Sequence, residues 1–438
     1  MEKQLTQPSI LPGFMELLPA DQLIFNKILD TIRNTYEKYG FIPLDTPTME
    51  KSEILLAKSG GDTEKQIYRF KKGDRDISLR FDLTVPLARY VSQHYGELTF
   101  PFRRYHIGKV FRGESPQKGR FREFYQCDID IIGNESLSII NDAEILGVIY
   151  STFMALGFDN FTIRLNNRKI LNGFFESLGV SQKADVLRIV DKLDKIGEGE
   201  VKKELSLLSL DDTTISRILE FISIKGSKAE VIDKLKALNV QNETFINGVD
   251  ELEQVTGYTE SLGLPSKNTA IDLTIARGLD YYTGTIYETI LNDYPSIGSV
   301  CSGGRYDNLA QNYTNKKLPG VGISIGLTRL FYQLKEAGLL SEGKRATPTT
   351  LLIIPMKDTM NYAINFSTTA RNAGIATEVY LNEGKMGKMF GYADKLGIPY
   401  VVVIGEDEIK EGVLKLKDMS TGEQIPLTPD DIIEKLKK

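Results

Sequence analysis

The sequence predicts an α+β protein: a β-rich body, interrupted by a helical module and followed by a small α/β domain. Three observations carry that prediction. Residues from about 76 to 133 and from 269 to 326 are rich in β-branched and aromatic side chains, the usual make-up of strands. Residues from about 169 to 260 are rich in Lys, Glu, Leu and Ser, and run at helical spacing in ADVLRIVDKL, AEVIDKLKAL and ETFINGVDELEQV. Beyond the polar stretch SEGKRATPT at 341–349, near-continuous apolar runs such as TLLIIP and YVVVIG alternate with helical segments. Unbroken apolar strands belong to a sheet covered on both faces, and such sheets are mostly parallel.

Taken in order, residues 20–39 read as an amphipathic helix. Leu23, Ile24, Ile28, Ile32 and Tyr36 fall near helical spacing, and Gly40 supplies the stop. The stretch 76–133 reads as antiparallel strands with one exposed loop, from Glu114 to Gly119. Aromatics are few in the helical stretch that follows. The boundaries expected are 1–168 and 261–340 for the body, 169–260 for a helical insertion, and 347–438 for the C-terminal α/β domain.

Composition excludes several classes. In 438 residues there are two cysteines, Cys127 and Cys301, and two histidines, His94 and His106. A disulfide framework, a Cys/His zinc site and a histidine-based hydrolase triad are all disfavoured. MEKQLTQPSI lacks the apolar stretch of a signal peptide, and the longest apolar runs fall far below the ~18 residues of a membrane span. A cytoplasmic protein is expected. The net charge of −5 argues against a uniformly basic surface, though not against a local cluster.

Such a cluster exists. Between residues 101 and 122 there are seven Lys or Arg and one acid, Glu114. Arginine's planar fork matches phosphate oxygens. Composition alone fits equally a solvated strand–loop–strand. The interleaving of Phe111, Phe121 and Phe124 with Arg112, Arg120 and Arg122 favours a site for a base and its phosphates. Downstream, Gln126, Asp128 and Asp130 share one face of a strand and Cys127, Ile129 and Ile131 the other; that polar face either meets solvent or lines a cavity. RGLDYYTG at 277–284 sets an Arg, an Asp and two phenols within six positions. CSGGRYDNL at 301–309 holds a Gly pair that suits a turn or a close backbone approach. GVGISIG at 320–326 is a strand with one face of small residues only, which leaves room for a flat ligand or a neighbouring backbone. Arg329 then stands in the first turn of a helix, where a cation opposes the helix dipole.

In this order, these segments resemble the class II aminoacyl-tRNA synthetases. FRGE and its loop look like their second motif, GISIGLTRL like the third, and TPTME, around Pro47, faintly like the first. RFDLTVPLARY at 80–90, ARGLDYYTGTIYE at 276–288 and CSGGRYD are similar to segments characteristic of the histidyl-tRNA synthetase family. The resemblance covers nearly the whole chain. It implies an antiparallel-sheet class II synthetase catalytic domain with a helical insertion, and a C-terminal α/β anticodon-binding domain.

The resemblance also implies roles. Asp82, Thr84 and Gln126 would hold the α-amino group of histidine, with Leu83 beside them. Asp130, Tyr282 and Tyr306 would surround the imidazole, with Tyr281 adjacent. Arg112 and Arg277 would be catalytic at the α-phosphate and substrate carboxylate. Glu114 would face the adenine amino group, Phe124 stack on its ring, and Arg120 and Arg329 hold the γ-phosphate of ATP. Gln117 would read the tRNA acceptor end. ATP with Mg2+, L-histidine, tRNA(His) and a homodimer partner are the implied ligands. Two positions depart from the family pattern: Thr328, where an acid is frequent, and Ser115, where many bacterial members carry Arg. The main rival is a histidine-binding regulatory subunit of ATP phosphoribosyltransferase, which shares this fold but carries degraded motifs and no anticodon domain. A threonyl enzyme would want a Cys/His zinc site, and a general RNA-binding protein would leave RGLDYYTG unexplained.

Overall fold

The computed structural model describes residues 5–57, 62–115, 119–275, 281–340 and 345–437. They fall into two compact units, one of residues 1–15 and 29–336 and the other of 16–28 and 337–438.

The first unit is built on an eight-stranded sheet, with a three-stranded sheet apart from it. In chain order the strands are β1 (Ile42–Pro43), β2 (Met49–Lys51), β3 (Arg69–Lys72), β4 (Arg75–Leu79), β5 (Phe102–Phe111) and β6 (Glu123–Ile132). There follow β7 (Phe161–Asn167), β8 (Thr269–Ile271), β9 (Thr285–Leu291), β10 (Ser299–Tyr306) and β11 (Gly320–Gly326). The large sheet runs β1-β5-β6-β11-β10-β9-β7-β8, and the small one β2-β4-β3. Within the large sheet every neighbouring pair is antiparallel except β1/β5 and β7/β8 at the two edges.

Alternation in β6 decides which face is core. Cys127, Ile129 and Ile131 are fully buried, and the hydroxyl of Tyr36, on the helix Pro19–Lys38, donates to the carbonyl of Cys127 at 3.1 Å. The helix Ile140–Ala155 is apolar nearly all round and correspondingly buried; the hydroxyl of Tyr287 in β9 donates to its Asp142 carbonyl. Gly40, at φ +74°, ends the first helix as expected, a left-handed position that glycine takes without strain.

One expectation needs correcting. The stretch 76–133 is not all strand, because Thr84–Gln93 is a helix. Its start is fixed by Asp82, whose Oδ1 accepts the backbone N–H groups of Thr84 (3.1 Å) and Val85 (2.9 Å), with Pro86 in the first turn. An acid followed within four residues by proline is a helix-start signal that the surrounding β-formers masked.

Between β7 and β8 lie the helices Arg168–Ser177, Lys183–Val190, Leu193–Ser206, Asp212–Ile222, Lys228–Ala237 and Glu243–Gly257. Asn167, Asp211, Ser227 and Asn242 cap four of them through their side chains. The few aromatics of this stretch gather in its core. Phe174 stacks on Phe221 with centroids 3.9 Å apart, and Phe245 packs against both.

The second unit holds β12 (Leu351–Pro355), β13 (Thr377–Val379), β14 (Tyr400–Ile404), β15 (Leu414–Asp418) and β16 (Gln424–Leu427), in the order β13-β12-β14-β15-β16. The first three are parallel, while β15 and β16 join antiparallel. Leu351 and Ile353 pack on one side with Ala363, Phe366, Ile432 and Ile433. Leu352 and Ile354 pack on the other with Met389 and Ala393. Burial on both faces is why TLLIIP shows no polar alternation.

Candidate active site

The polar face of β6 does not meet solvent. It lines a cleft of about 450 Å3, within the range usual for small-ligand sites. The register shows how. Gln126, Asp128 and Asp130 stand opposite Gly326, Ser324 and Gly322 of β11 on one side, and opposite Gly108, His106 and Arg104 of β5 on the other. The small residues of β11 keep the floor open. A Cβ on Gly322 would collide with the Asp130 carboxylate and the Ile129 carbonyl.

At one end the floor is acidic and finely hydrogen-bonded. Asp130, 3% exposed, forms an ion pair with the fully buried Arg104 at 2.5 Å and accepts the Tyr306 hydroxyl at 2.6 Å. Burial pushes its carboxyl up to about 6 in spite of both partners, so it is ionised at neutral pH. Arg104 also donates to the Leu83 carbonyl at 3.2 Å. Tyr281 stands edge-on to Tyr282 and Tyr306, at 5.0 and 5.8 Å between centroids. Burial also raises the Asp82 carboxyl, against the pull of the Val85 N–H and Arg112. Gln126 donates to the Ser324 hydroxyl at 2.7 Å.

At the other end lies Arg112. Its guanidinium sits 4.4 Å from the ring centroid of Phe81 and 5.1 Å from that of Phe124, and donates to the Phe81 carbonyl. Two aromatic faces hold the fork flat at the cleft wall. Arg120 and Glu114 face one another at 3.5 Å, and Arg329, which donates to the Ile297 carbonyl, closes this end.

Of the residues singled out from sequence, Asp82, Thr84, Arg112, Glu114, Arg120, Phe124, Gln126, Asp130, Tyr281, Tyr282, Tyr306 and Arg329 all line this one cleft. Leu83 does not line it: its side chain is fully buried and only its carbonyl takes part, by receiving Arg104. Gln117 and Arg277 lie outside the described residues.

Sequence reasoning passed over Arg104 and Glu288, while Ser324 lies on the small-residue face already read from GVGISIG. Glu288 lines the cleft from β9. Strand alternation could have found Glu288; Arg104 needed the register. Thr328 gains a function of its own. Its hydroxyl accepts the Tyr125 backbone N–H at 2.8 Å, tying the helix Leu327–Glu336 to β6. Behind the site, Arg305 pairs with fully buried Asp142 at 2.6 Å.

A family model described as histidyl-tRNA synthetase matches residues 13–330, and one described as anticodon binding domain matches 350–438. The histidine–tRNA ligase of Clostridium tetani (strain Massachusetts / E88) is 65% identical over 437 residues, covering 100% of each chain. The crystal structure of histidyl-tRNA synthetase from Nostoc sp. PCC 7120 superposes with a TM-score of 0.91 at 42% identity, over 100% of this chain and 99% of that one. A chain described as an ATP phosphoribosyltransferase regulatory subunit/histidyl-tRNA synthetase, from Bacillus halodurans C, has a TM-score of 0.74 over 89% of this chain and 97% of its own. At 21% identity that likeness shows a shared fold and nothing finer. The fold is a class II synthetase catalytic domain with a C-terminal anticodon-binding domain. Identity decides for the ligases over the regulatory subunits. The chain belongs to the histidyl-tRNA synthetase family, the enzymes that ligate histidine to tRNA.

Proposed function

We propose that the cleft binds L-histidine at its acidic end and ATP at its arginine end, and that tRNA(His) receives the activated histidine. The observation that carries this division is the charge pattern. Asp82 and Asp130, with Tyr282 and Tyr306, form an acceptor-rich pocket for ammonium and imidazole N–H groups. Arg112, Arg120 and Arg329 face the polyphosphate. Paired hydrogen bonds to the imidazole reject apolar analogues strongly, because buried partners would be left unpaired.

The histidine carboxylate attacks the α-phosphorus of ATP in line and expels pyrophosphate. A carboxylate already carries its charge, so no protein base is needed, and positioning and charge stabilisation do the catalysis. Arg112, held between Phe81 and Phe124, bridges the carboxylate and the α-phosphate, with Arg277 as its partner in that role. Glu114 receives the adenine amino group and Phe124 stacks on the ring. Separating Glu114 from Arg120 costs little, since the pair is 3.5 Å apart and both side chains reach solvent. Among the described residues no cluster of three His, Cys, Asp or Glu offers a resident metal site. The donor set suits Mg2+ arriving with ATP, held chiefly by phosphate oxygens and water and neutralising their charge.

The terminal ribose hydroxyl of tRNA(His) then attacks the carbonyl of the adenylate, forming the ester as the acyl–phosphate bond breaks and AMP leaves, with Gln117 near the acceptor end. We assign residues 1–168 and 261–340 to catalysis, 169–260 to a helical insertion and 347–438 to anticodon binding. A homodimer in the cytoplasm completes the reading. Two cysteines, both buried and unbridged, suit a reducing compartment, and no helix of the described residues is long and apolar enough to cross a membrane. The test is ATP–pyrophosphate exchange. It should require L-histidine and Mg2+; exchange supported equally by another amino acid would defeat the specificity argument. Tight histidine binding without exchange would point to a regulatory protein.

A further inference from the structure

At the acidic end of the cleft stands Asp128, a carboxylate that these roles do not use. Asp128 stands between Gln126 and Asp130 on the same face of β6, lines the cleft and is 2% exposed. Asp130 has Arg104, and Asp82 has two backbone N–H donors with Arg112 nearby. Among the described residues Asp128 has no such cation of its own. The Ser324 hydroxyl lies against its carboxylate, but among the described residues its Oδ1 has no hydrogen-bond partner. Nor has Oε1 of Gln126, two residues away on the same strand face. Two buried acceptors side by side, both facing the cleft and both without a donor, call for a ligand with several N–H groups and a positive charge. An ammonium has three donors and no acceptor. A hydroxyl has one donor, and a carboxylate would be repelled.

We propose that Asp128 is a further substrate-binding residue, which takes the α-ammonium group of the amino acid together with Gln126 Oε1 and gives up a proton as it does so. This rests on reading the cleft as the histidine site. The step is balanced: the carboxyl O–H bond breaks, the proton leaves to solvent, and the carboxylate faces the ammonium with no covalent bond formed to the substrate.

The surroundings make a proton available. Burial pushes the Asp128 carboxyl up to about 7; Asp130 and Asp82 add to this, and Arg104 and Ser324 oppose it. From β5, His106 stands opposite Asp128, but burial with Arg104 and Arg80 holds it down at about 3, so it stays neutral. Arg112 adds a more remote positive charge. Among the described residues the remaining titratable neighbours are Tyr282, Tyr36, Cys127 and Cys301, all kept neutral by burial. Asp128 therefore changes charge near neutrality. The unliganded carboxyl is raised, and an arriving ammonium favours its ionised form. Histidine affinity must then rise with pH through about 7 and level off above it.

The experiment is calorimetric titration of the full-length protein with L-histidine, in two buffers of different ionisation heat, from pH 6 to 8.5. After correction for the titration of free histidine's own ring, affinity should improve about tenfold between pH 6 and 8, with its midpoint near 7. At pH 7 the wild type should release about half a proton more than Asp128→Asn, whose corrected profile should change only about twofold, near pH 6 where Asp130 titrates. Equal proton release from both proteins would overturn the proposal. So would a flat corrected profile in the wild type, which needs no variant. A midpoint near 6 would move the proton to Asp130 and reject Asp128. If histidine binds and supports exchange without the extra proton, only this inference falls. If it does not bind at all, the reading of the cleft falls with it.

Discussion

The Arg104–Asp130 pair is the most informative place to perturb, because it links the buried core of the sheet to the acidic end of the cleft. Consider Arg104→Met. The side chain is fully buried, and among the described residues its partners are Asp130 and the Leu83 carbonyl. Removing it leaves Asp130 without its cation in a low-dielectric site. Breaking a buried pair from one side costs about 3–5 kcal/mol. At roughly 2 °C per kcal/mol for a unit of this size, the thermal transition should fall by about 6–10 °C at pH 8. The loss should shrink at acid pH. With Arg104 gone, the folded-state value of Asp130 rises above the present value of about 6. Unfolded, the group titrates near 4. Stability of the variant therefore falls as pH rises through that window, and at pH 5 a neutral carboxyl is tolerated. Nε and Nη1 of Arg104 already lack partners, so replacing both members should be milder than replacing one. Arg104→Met with Asp130→Leu should recover most of the loss. The assay is thermal unfolding of both variants and wild type at pH 5 and 8. A loss that is the same at both pH values, or a double variant no better than the single one, would refute the electrostatic argument and leave lost packing as the cause.

Other expectations follow from single contacts. Tyr306→Phe removes a 2.6 Å hydrogen bond to a charged carboxylate; at about 1.5–3 kcal/mol, the KM for histidine should rise at least tenfold while the KM for ATP changes little. Arg112→Lys keeps the charge but loses the fork set between Phe81 and Phe124, and single-turnover adenylate formation should slow by about 10²–10³. Arg277→Lys should do the same, with histidine affinity by calorimetry changing far less than the rate. Deleting 347–438 should leave pyrophosphate exchange partly intact and abolish most tRNA charging, with circular dichroism confirming that the remaining chain is folded; charging at full rate would exclude an anticodon-reading role.

Much of this was written in local order along the chain. Helical spacing located the helices between β7 and β8, apolar runs located the strands of the second unit, and RGLDYYTG, FRGE and GISIGLTRL each contributed residues that line the cleft. These are readable because periodicity and short motifs need only neighbours in sequence. The helix Thr84–Gln93 was missed because its start depends on one capping carboxylate, a weaker signal than the β-formers around it.

What the tertiary structure alone decided is which side of each strand does what, and with which partner. Alternation placed Gln126, Asp128 and Asp130 together on one face but could not say whether that face met water; β5 and β11 flank it in the sheet, and Asp82, Tyr281 and Tyr282 from other segments line the cleft with it. Nothing near residue 104 in sequence marks that arginine as the counter-ion of Asp130, and nothing near 306 marks that tyrosine as its donor. Those pairings depend on strand register across separations of 26 and 176 residues. The charge left over on Asp128 follows from them, because a carboxylate's state is set by burial and by every charge around it, and those neighbours are assembled only when the sheet forms.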